Sequence, residues 1–256
     1  MTNTSMLKLT GLALVMLAVT ASGAQAVPLA KLPGGAQGSP YATNPTDNVF
    51  LAGGQAGGQR ASYGYAGVVS ALPGSEIGNG WVQRIFAEEV TYRYKKGRST
   101  IDADGYGGSL TYGYQHTYNG GWFGAYAGPA YRYTKLSPVD RASDARGSNV
   151  TARFAAEAEQ YLGEDFKLNE LGNYDAFGNN GYWGRLRALF RVSGTTYFGP
   201  EGVYQGDNDY KAWQAGLAVV GIPITEDAAF GIDGGVRKTD SDKMTGYGGL
   251  ELGVNF

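Results

Sequence analysis

The side chains best suited to chemistry are few. His116 is the single histidine, so no histidine cluster can hold zinc or a redox metal, and the absence of cysteine removes thiolate ligands and disulfides. A lone imidazole could still act as general base for a serine hydrolase. Glu157 and Glu159 form the second candidate. Two residues apart on one strand, their carboxylates stand about 7 Å from each other, within the separation that glycoside hydrolysis uses. The third feature is a set of arginines, Arg132, Arg153, Arg185, Arg187 and Arg191, spread over three segments of alternating sequence.

The elements that carry these residues read as β-strands. In 246–256, Leu250, Leu252, Val254 and Phe256 share one face while Glu251 and Asn255 share the other. In 181–193, Tyr182, Leu186, Ala188, Phe190 and Val192 oppose Arg185, Arg187 and Arg191. One face suits lipid and the other suits a lumen. Glycine, at 42 of 256 residues, is well above its usual ~7%, yet 13% of the chain is aromatic, which argues against disorder. Glycine and tyrosine with a period of two fit a transmembrane antiparallel up-and-down barrel with aromatic girdles and a crowded interior.

Ten strands are expected, at about 61–72, 80–95, 100–117, 121–134, 147–161, 181–193, 196–204, 209–221, 228–238 and 246–256. Eight or twelve are the alternatives, since 49–58 and 196–204 are ambiguous. Turn chemistry marks several boundaries, among them Leu72-Pro73-Gly74, Lys96-Gly97, Asn119-Gly120 and Thr225-Glu226-Asp227. The longest connection, 162–180, is expected outside the cell and carries Tyr174 and Phe177. The connection 135–146 falls on the periplasmic side in this count, a poor fit to the short turns usual there.

Upstream, Lys8, an apolar stretch at 9–20 and Ala24-Gln25-Ala26 read as a secretory signal cleaved after Ala26. Residues 27–60 read as a flexible Gly/Pro-rich periplasmic leader holding the ambiguous 49–58, and 61–256 as the barrel. Export by the general secretion pathway to a bacterial outer membrane follows, and Phe256 fits the terminal aromatic signal by which barrel assembly machinery recognises its clients. Lipid and lipopolysaccharide are the expected surroundings. The balance of 21 basic and 23 acidic residues gives no surplus to bind nucleic acid.

Each chemical candidate also has a structural reading. By parity His116 shares a face with Tyr112, Tyr114 and Tyr118, which suits the headgroup level of a membrane. Glu157 and Glu159 share a face with Arg153, near Arg132, Arg185, Arg187 and Arg191, and this cluster is expected to neutralise itself and fill a narrow lumen. Trp81, Trp122, Trp183 and Trp213, near strand ends, read as girdle residues. No catalytic residue, metal or cofactor is expected.

Three stretches resemble the cellulose biosynthesis protein S family of alphaproteobacterial outer-membrane proteins. They are Tyr63-Gly64-Tyr65-Ala66-Gly67-Val68-Val69, continuing through Asn79-Gly80-Trp81 to Tyr92-Arg93-Tyr94; Gly128-Pro129-Ala130-Tyr131; and Phe198-Gly199-Pro200-Glu201 followed by Gly206-Asp207-Asn208-Asp209-Tyr210-Lys211-Ala212-Trp213-Gln214-Ala215-Gly216. In the last, Gly199, Pro200, Glu201, Asn208, Asp209 and Tyr210 are the most telling. The resemblance implies a non-enzymatic accessory role in exopolysaccharide, specifically cellulose, biosynthesis or secretion, with cellulose or cellulose-secretion components as partners. The alternatives are a barrel-embedded hydrolase acting on lipid A or glycan and a small general pore. Lipid A deacylases place a serine two residues after the histidine, whereas here the order is His116-Thr117-Tyr118.

Overall fold

The computed structural model describes residues 47–58, 60–240 and 243–256. The signal and most of the leader read from the sequence lie outside the described residues. Twelve strands are described: β1 (Asn48–Gly57), β2 (Ala61–Ala71), β3 (Gly80–Lys96), β4 (Ser99–Tyr118), β5 (Gly121–Ser137), β6 (Gly147–Tyr161), β7 (Phe166–Ala176), β8 (Tyr182–Ser193), β9 (Thr196–Gly206), β10 (Lys211–Pro223), β11 (Ala228–Thr239) and β12 (Thr245–Asn255). Each pairs antiparallel with the next, and β12 closes on β1 from Val49↔Asn255 to Gly57↔Tyr247. The architecture is an all-β up-and-down barrel, and every described strand has a paired neighbour on both sides.

Among the described residues the strand count is twelve, the upper alternative, in place of ten. The ambiguous segment 49–58 is β1, so the barrel begins before residue 61. The second addition is β7, which occupies the middle of the stretch expected to be the longest outer loop. Its alternation carries little contrast. Phe166, Leu168 and Tyr174 share the outer face with Glu170, and Leu171 shares the inner face with Lys167, Asn169 and Asp175. β1 hides for the same reason, since Val49 and Leu51 point inward opposite Phe50 and Ala52. With β1 in place, the 138–146 connection lies at the end of the barrel remote from the described chain ends, together with 177–181 and 207–210. The misfit of a long connection among short turns thereby disappears.

The faces separate as the period of two requires. Leu250 is 64% exposed while Glu251 is 5% exposed. Ile85, Leu186, Leu217, Ile232 and Leu250 form an exposed apolar belt. Aromatic pairs flank it. Toward the chain ends Trp81 packs on Tyr114 at 5.5 Å, His116 on Phe123 at 5.7 Å and Phe166 on Phe190 at 4.9 Å. Toward the remote end Tyr106 packs on Tyr133 and Tyr182 on Tyr204, each at 5.4 Å, with Trp213 exposed nearby. Two tryptophans depart from the expected girdle. Trp122 is buried facing inward, and Trp183 lines the lumen under the Arg185 guanidinium at 5.8 Å. A lumen this narrow needs bulky fillers, and aromatics at inward positions supply them.

Two glycine-centred turns were legible from sequence chemistry. Gly97 and Gly120 both have positive φ, at 60° and 96°, in the tight β3–β4 and β4–β5 connections. β3, β4 and β5 are longer than their neighbours, and residues 92–96 of β3 run past the end of β2 at the remote mouth. There Tyr92, Tyr94, Ile101, Ala103 and Leu136 pack with Tyr210 and Ala212. At the opposite end two apolar clusters fill the lumen, one of Val49, Val69, Ile77, Val82 and Tyr126, the other of Tyr161, Leu189, Tyr197, Ala218 and Val220.

Candidate functional site: a charged lumen under a latched mouth

Inward side chains meet in three groups along the lumen, two between the apolar plug and the remote mouth and the third beside Tyr161 and Tyr197 of the plug itself. In the first, Arg153 on β6 reaches two carboxylates. Its Nε and Nη2 donate to Asp175 of β7 at 2.7 and 2.8 Å, and its Nη1 and Nη2 donate to Glu88 of β3 at 2.9 and 3.0 Å. Arg132 of β5 adds a bond to Glu88 at 2.6 Å. In the second, Arg187 on β8 donates at 2.6 Å both to Glu201 of β9 and to Glu251 of β12, and Arg185 donates to Glu251 at 3.0 Å. Tyr247 donates to Glu201 at 3.1 Å, and Gln55 donates to Asp233 at 2.8 Å. In the third, Lys167 pairs with Glu159 at 3.0 Å and sits 4.2 Å from the centre of the Tyr197 ring.

These contacts tie β3 to β6 and β7, and β8 to β12, across the barrel interior. Burying so many charges is costly unless each finds a partner, and bidentate arginine–carboxylate geometry supplies it. Small residues make the room. A Cβ on Gly231 would stand 2.8 Å from Cγ of Glu251, so glycine there lets that carboxylate lie across the wall toward Arg187.

All seven charges expected in the lumen face it, but they pair differently from the expectation. Arg153 takes Glu88 and Asp175 in place of Glu157 or Glu159. Glu157 accepts from Tyr126 and lies 3.9 Å from Arg84, while Glu159 accepts from Tyr161 at 2.6 Å and pairs with Lys167. Each carboxylate thus has its own partners. Arg191 donates to the Tyr197 hydroxyl at 3.3 Å. His116 stands on the outer wall beside Phe123, away from the lumen carboxylates.

Sequence reasoning missed Glu88, Asp175, Lys167 and Arg84 as lumen partners. Parity along β3 places Arg84 and Glu88 on the face of Val82, which is the signal that finds them. Asp175 and Lys167 lay in the unread strand β7.

The family-like motif maps onto both parts of this region. A Cβ on Gly199 would run into the carbonyl of Ala188, so β9 approaches β8 closely there, Pro200 points outward and Glu201 reaches Arg187. Beyond β9, Oδ1 of Asp207 accepts from the N–H groups of Asp209 and Tyr210 at 2.8 and 2.9 Å, folding the turn. Asn208 donates to Asp144 at 3.1 Å, and Ser143 donates to Asp209 at 2.6 Å. The 207–210 turn is thereby latched to the 138–146 connection across the mouth. Lys96 holds the other side of that connection, 2.8 Å from Asp140, and its hydrogen bond keeps the Asp140 carboxyl below the usual range. Burial pushes Asp207 the other way, upward. Among the described residues no group of three or more His, Cys, Asp and Glu is placed to hold a metal ion.

A closed meander with an apolar outer belt, aromatic pairs at both of its margins and a charged interior defines a β-barrel of the outer-membrane type. The family model for cellulose biosynthesis protein BcsS matches residues 49–256, the whole barrel, and the chain belongs to that family. The role this family implies is in cellulose biosynthesis. No curated protein matches. Among solved structures, the chain is similar to the KdgM porin, with 10% identity, TM-score 0.48 and coverage of 81% of this chain and 99% of that one. It is also similar to the translocator domain of autotransporter NalP from Neisseria meningitidis, with 10% identity, TM-score 0.49 and coverage of 83% and 90%. A third likeness is to the outer membrane protease OmpT from Escherichia coli, with 11% identity, TM-score 0.34 and coverage of 85% and 100%. None of these likenesses carries an argument about activity.

Proposed function

We propose that this chain is a non-enzymatic accessory of cellulose biosynthesis or secretion, seated as a barrel in the bacterial outer membrane. The observation that carries the reading is the lumen itself. Its carboxylates and guanidinium groups hold one another across the barrel, which suits a rigid, filled scaffold, while the lone histidine faces outward. Family membership supplies the link to cellulose. The apolar belt with its aromatic margins supports contact with membrane lipid and lipopolysaccharide. Export through the general secretion pathway, cleavage after Ala26 and insertion by the barrel assembly machinery complete the proposal, with cellulose or other secretion components as partners.

Gene deletion and complementation test this reading. Deletion is expected to lower dye-binding cellulose, and wild type, His116→Ala, Glu157→Gln and Glu159→Gln are each expected to restore it. Unchanged cellulose on deletion overturns the cellulose role. Loss of rescue by one of these variants, at normal barrel levels in the membrane, overturns the non-enzymatic part and favours a hydrolase.

A further inference from the structure

Glu170 of β7 stands on the outer wall, where charge is least welcome. Its side chain faces out midway between Phe166 of the chain-end margin and Tyr174, whose cross-strand neighbour Tyr182 belongs to the remote margin. Across the sheet it lies between Ala158 of β6 and Leu186 of the apolar belt. Among the described residues it has no hydrogen bond or ion pair. The other outward charges of the described strands sit at the remote margin or beyond it, as Glu89 does opposite Tyr106 and Lys238 opposite Trp213. Lipid headgroups do not reach the depth of Glu170, and an ionisable side chain facing hydrocarbon is costly until a partner satisfies it.

Beside it the wall sinks into a trough. Ala125, Ala156, Gly172 and Gly184 are directly paired in one row across β5, β6, β7 and β8, and by parity all four face out. Phe154 and Tyr174 rise along one bank of this row, Glu170 and Leu186 along the other. On β7 the banks are four residues apart, about 14 Å at the rise of a strand, a width that admits one α-helix. The floor is open, since a Cβ on Gly184 would meet only the carbonyl of Leu171, at 3.9 Å. Small residues of this kind let a neighbouring membrane segment approach closely. A second copy of this chain does not answer the charge. Sharing one orientation in the membrane, it brings to that depth either its own Glu170 or an uncharged wall, and no cation.

We infer that the trough seats one membrane-embedded helix of another protein, apolar along its length and carrying a single lysine or arginine that pairs with Glu170. Charge complementarity selects the partner's cation, and the row of small residues selects its shape. The inference rests on the membrane seat proposed above. It adds the face through which the barrel meets a partner.

The test uses the full-length chain inserted in phospholipid vesicles, with insertion checked by heat-modifiable mobility on gels. Synthetic Ala/Leu helices of about 20 residues, with lysine or leucine at the centre and a dansyl group at one end, are titrated and read by energy transfer from the barrel's tryptophans. Saturable binding of the lysine helix is expected, at least tenfold tighter than that of the leucine helix. Glu170→Leu is expected to erase this preference. Gly184→Leu, which fills the trough and keeps the carboxylate, should weaken binding of the lysine helix at least tenfold, and Ala156→Leu serves as a second variant if Gly184→Leu fails to insert. Glu170→Leu combined with Leu217→Glu moves the carboxylate to a wall position outside the trough and should show no preference. Equal binding of the two helices by wild type, a preference that survives filling of the trough, or an equal preference with the carboxylate at position 217 overturns the inference. Efficient disulfide dimerisation of Ala156→Cys, a clean readout in a chain without native cysteine, also overturns it by giving the trough to a second copy. The two proposals fail separately: wild type that does not insert removes the membrane seat and the inference with it, whereas wild type that inserts and does not discriminate removes the docking site alone.

Discussion

Replacing Arg187 with alanine is expected to destabilise the barrel by about 3–5 kcal/mol, the cost of leaving a buried charge without its partner. Arg187 is 2% exposed and bonds Glu201 and Glu251 at 2.6 Å each. Truncation removes the cation between them. Glu251 keeps Arg185 at 3.0 Å, whereas Glu201 retains only the Tyr247 hydroxyl among the contacts described above. Most of the penalty therefore falls on Glu201, and the double change Arg187→Met with Glu201→Gln should recover much of it. Urea titration of barrel refolded into phospholipid vesicles measures both variants. A loss below about 1 kcal/mol for Arg187→Ala, the level of an exposed ion pair, would show that the lumen is more hydrated than this packing implies.

The second large effect is expected on the outer wall. Leu217 lies at the centre of β10, exposed and outward-facing, where the proposed membrane is driest. Leu217→Arg should cost about 2–4 kcal/mol in the same vesicle assay, as arginine does near a bilayer midplane. The same residue introduced at Val139, exposed in the 138–146 connection, should change stability by under about 0.5 kcal/mol. Equal, small costs at both positions would remove lipid from the outer face and with it the membrane reading.

Much of this wall was legible because a two-residue period, once one face is apolar and the other charged, leaves a single way to place a strand. β8 and β12 have that contrast, and their outward and inward sets are as expected. β7 lacks it because Glu170 faces out and Leu171 faces in, so its neighbours in the sheet, and not its own pattern, place it. Missing β1 had the larger consequence, since one strand reverses the end at which every connection up to β7 lies, and only the second missed strand, β7, sets the later ones right. Parity could put Arg153 and Arg187 inside but not name their partners. Glu88 stands 65 residues before Arg153 and Glu251 stands 64 after Arg187, and only the closed register brings them together. Trp122 and Trp183 show the converse limit, because tryptophan suits a membrane margin and a crowded lumen equally well. The latch between 138–146 and 207–210 has no local signature either; its turn-forming Asp207 is readable, its partner loop is not.

The central claim is a membrane barrel filled by its own side chains, and single-channel recording in planar bilayers tests it most directly. Purified wild-type protein inserted into the bilayer should show no discrete open-channel steps, because the apolar plug of Val49, Val69, Val82 and Tyr126 and the Arg153 and Arg187 groups close the ion path in series. Stable, reproducible conductance steps from wild-type barrel would contradict a filled lumen and make the protein a pore.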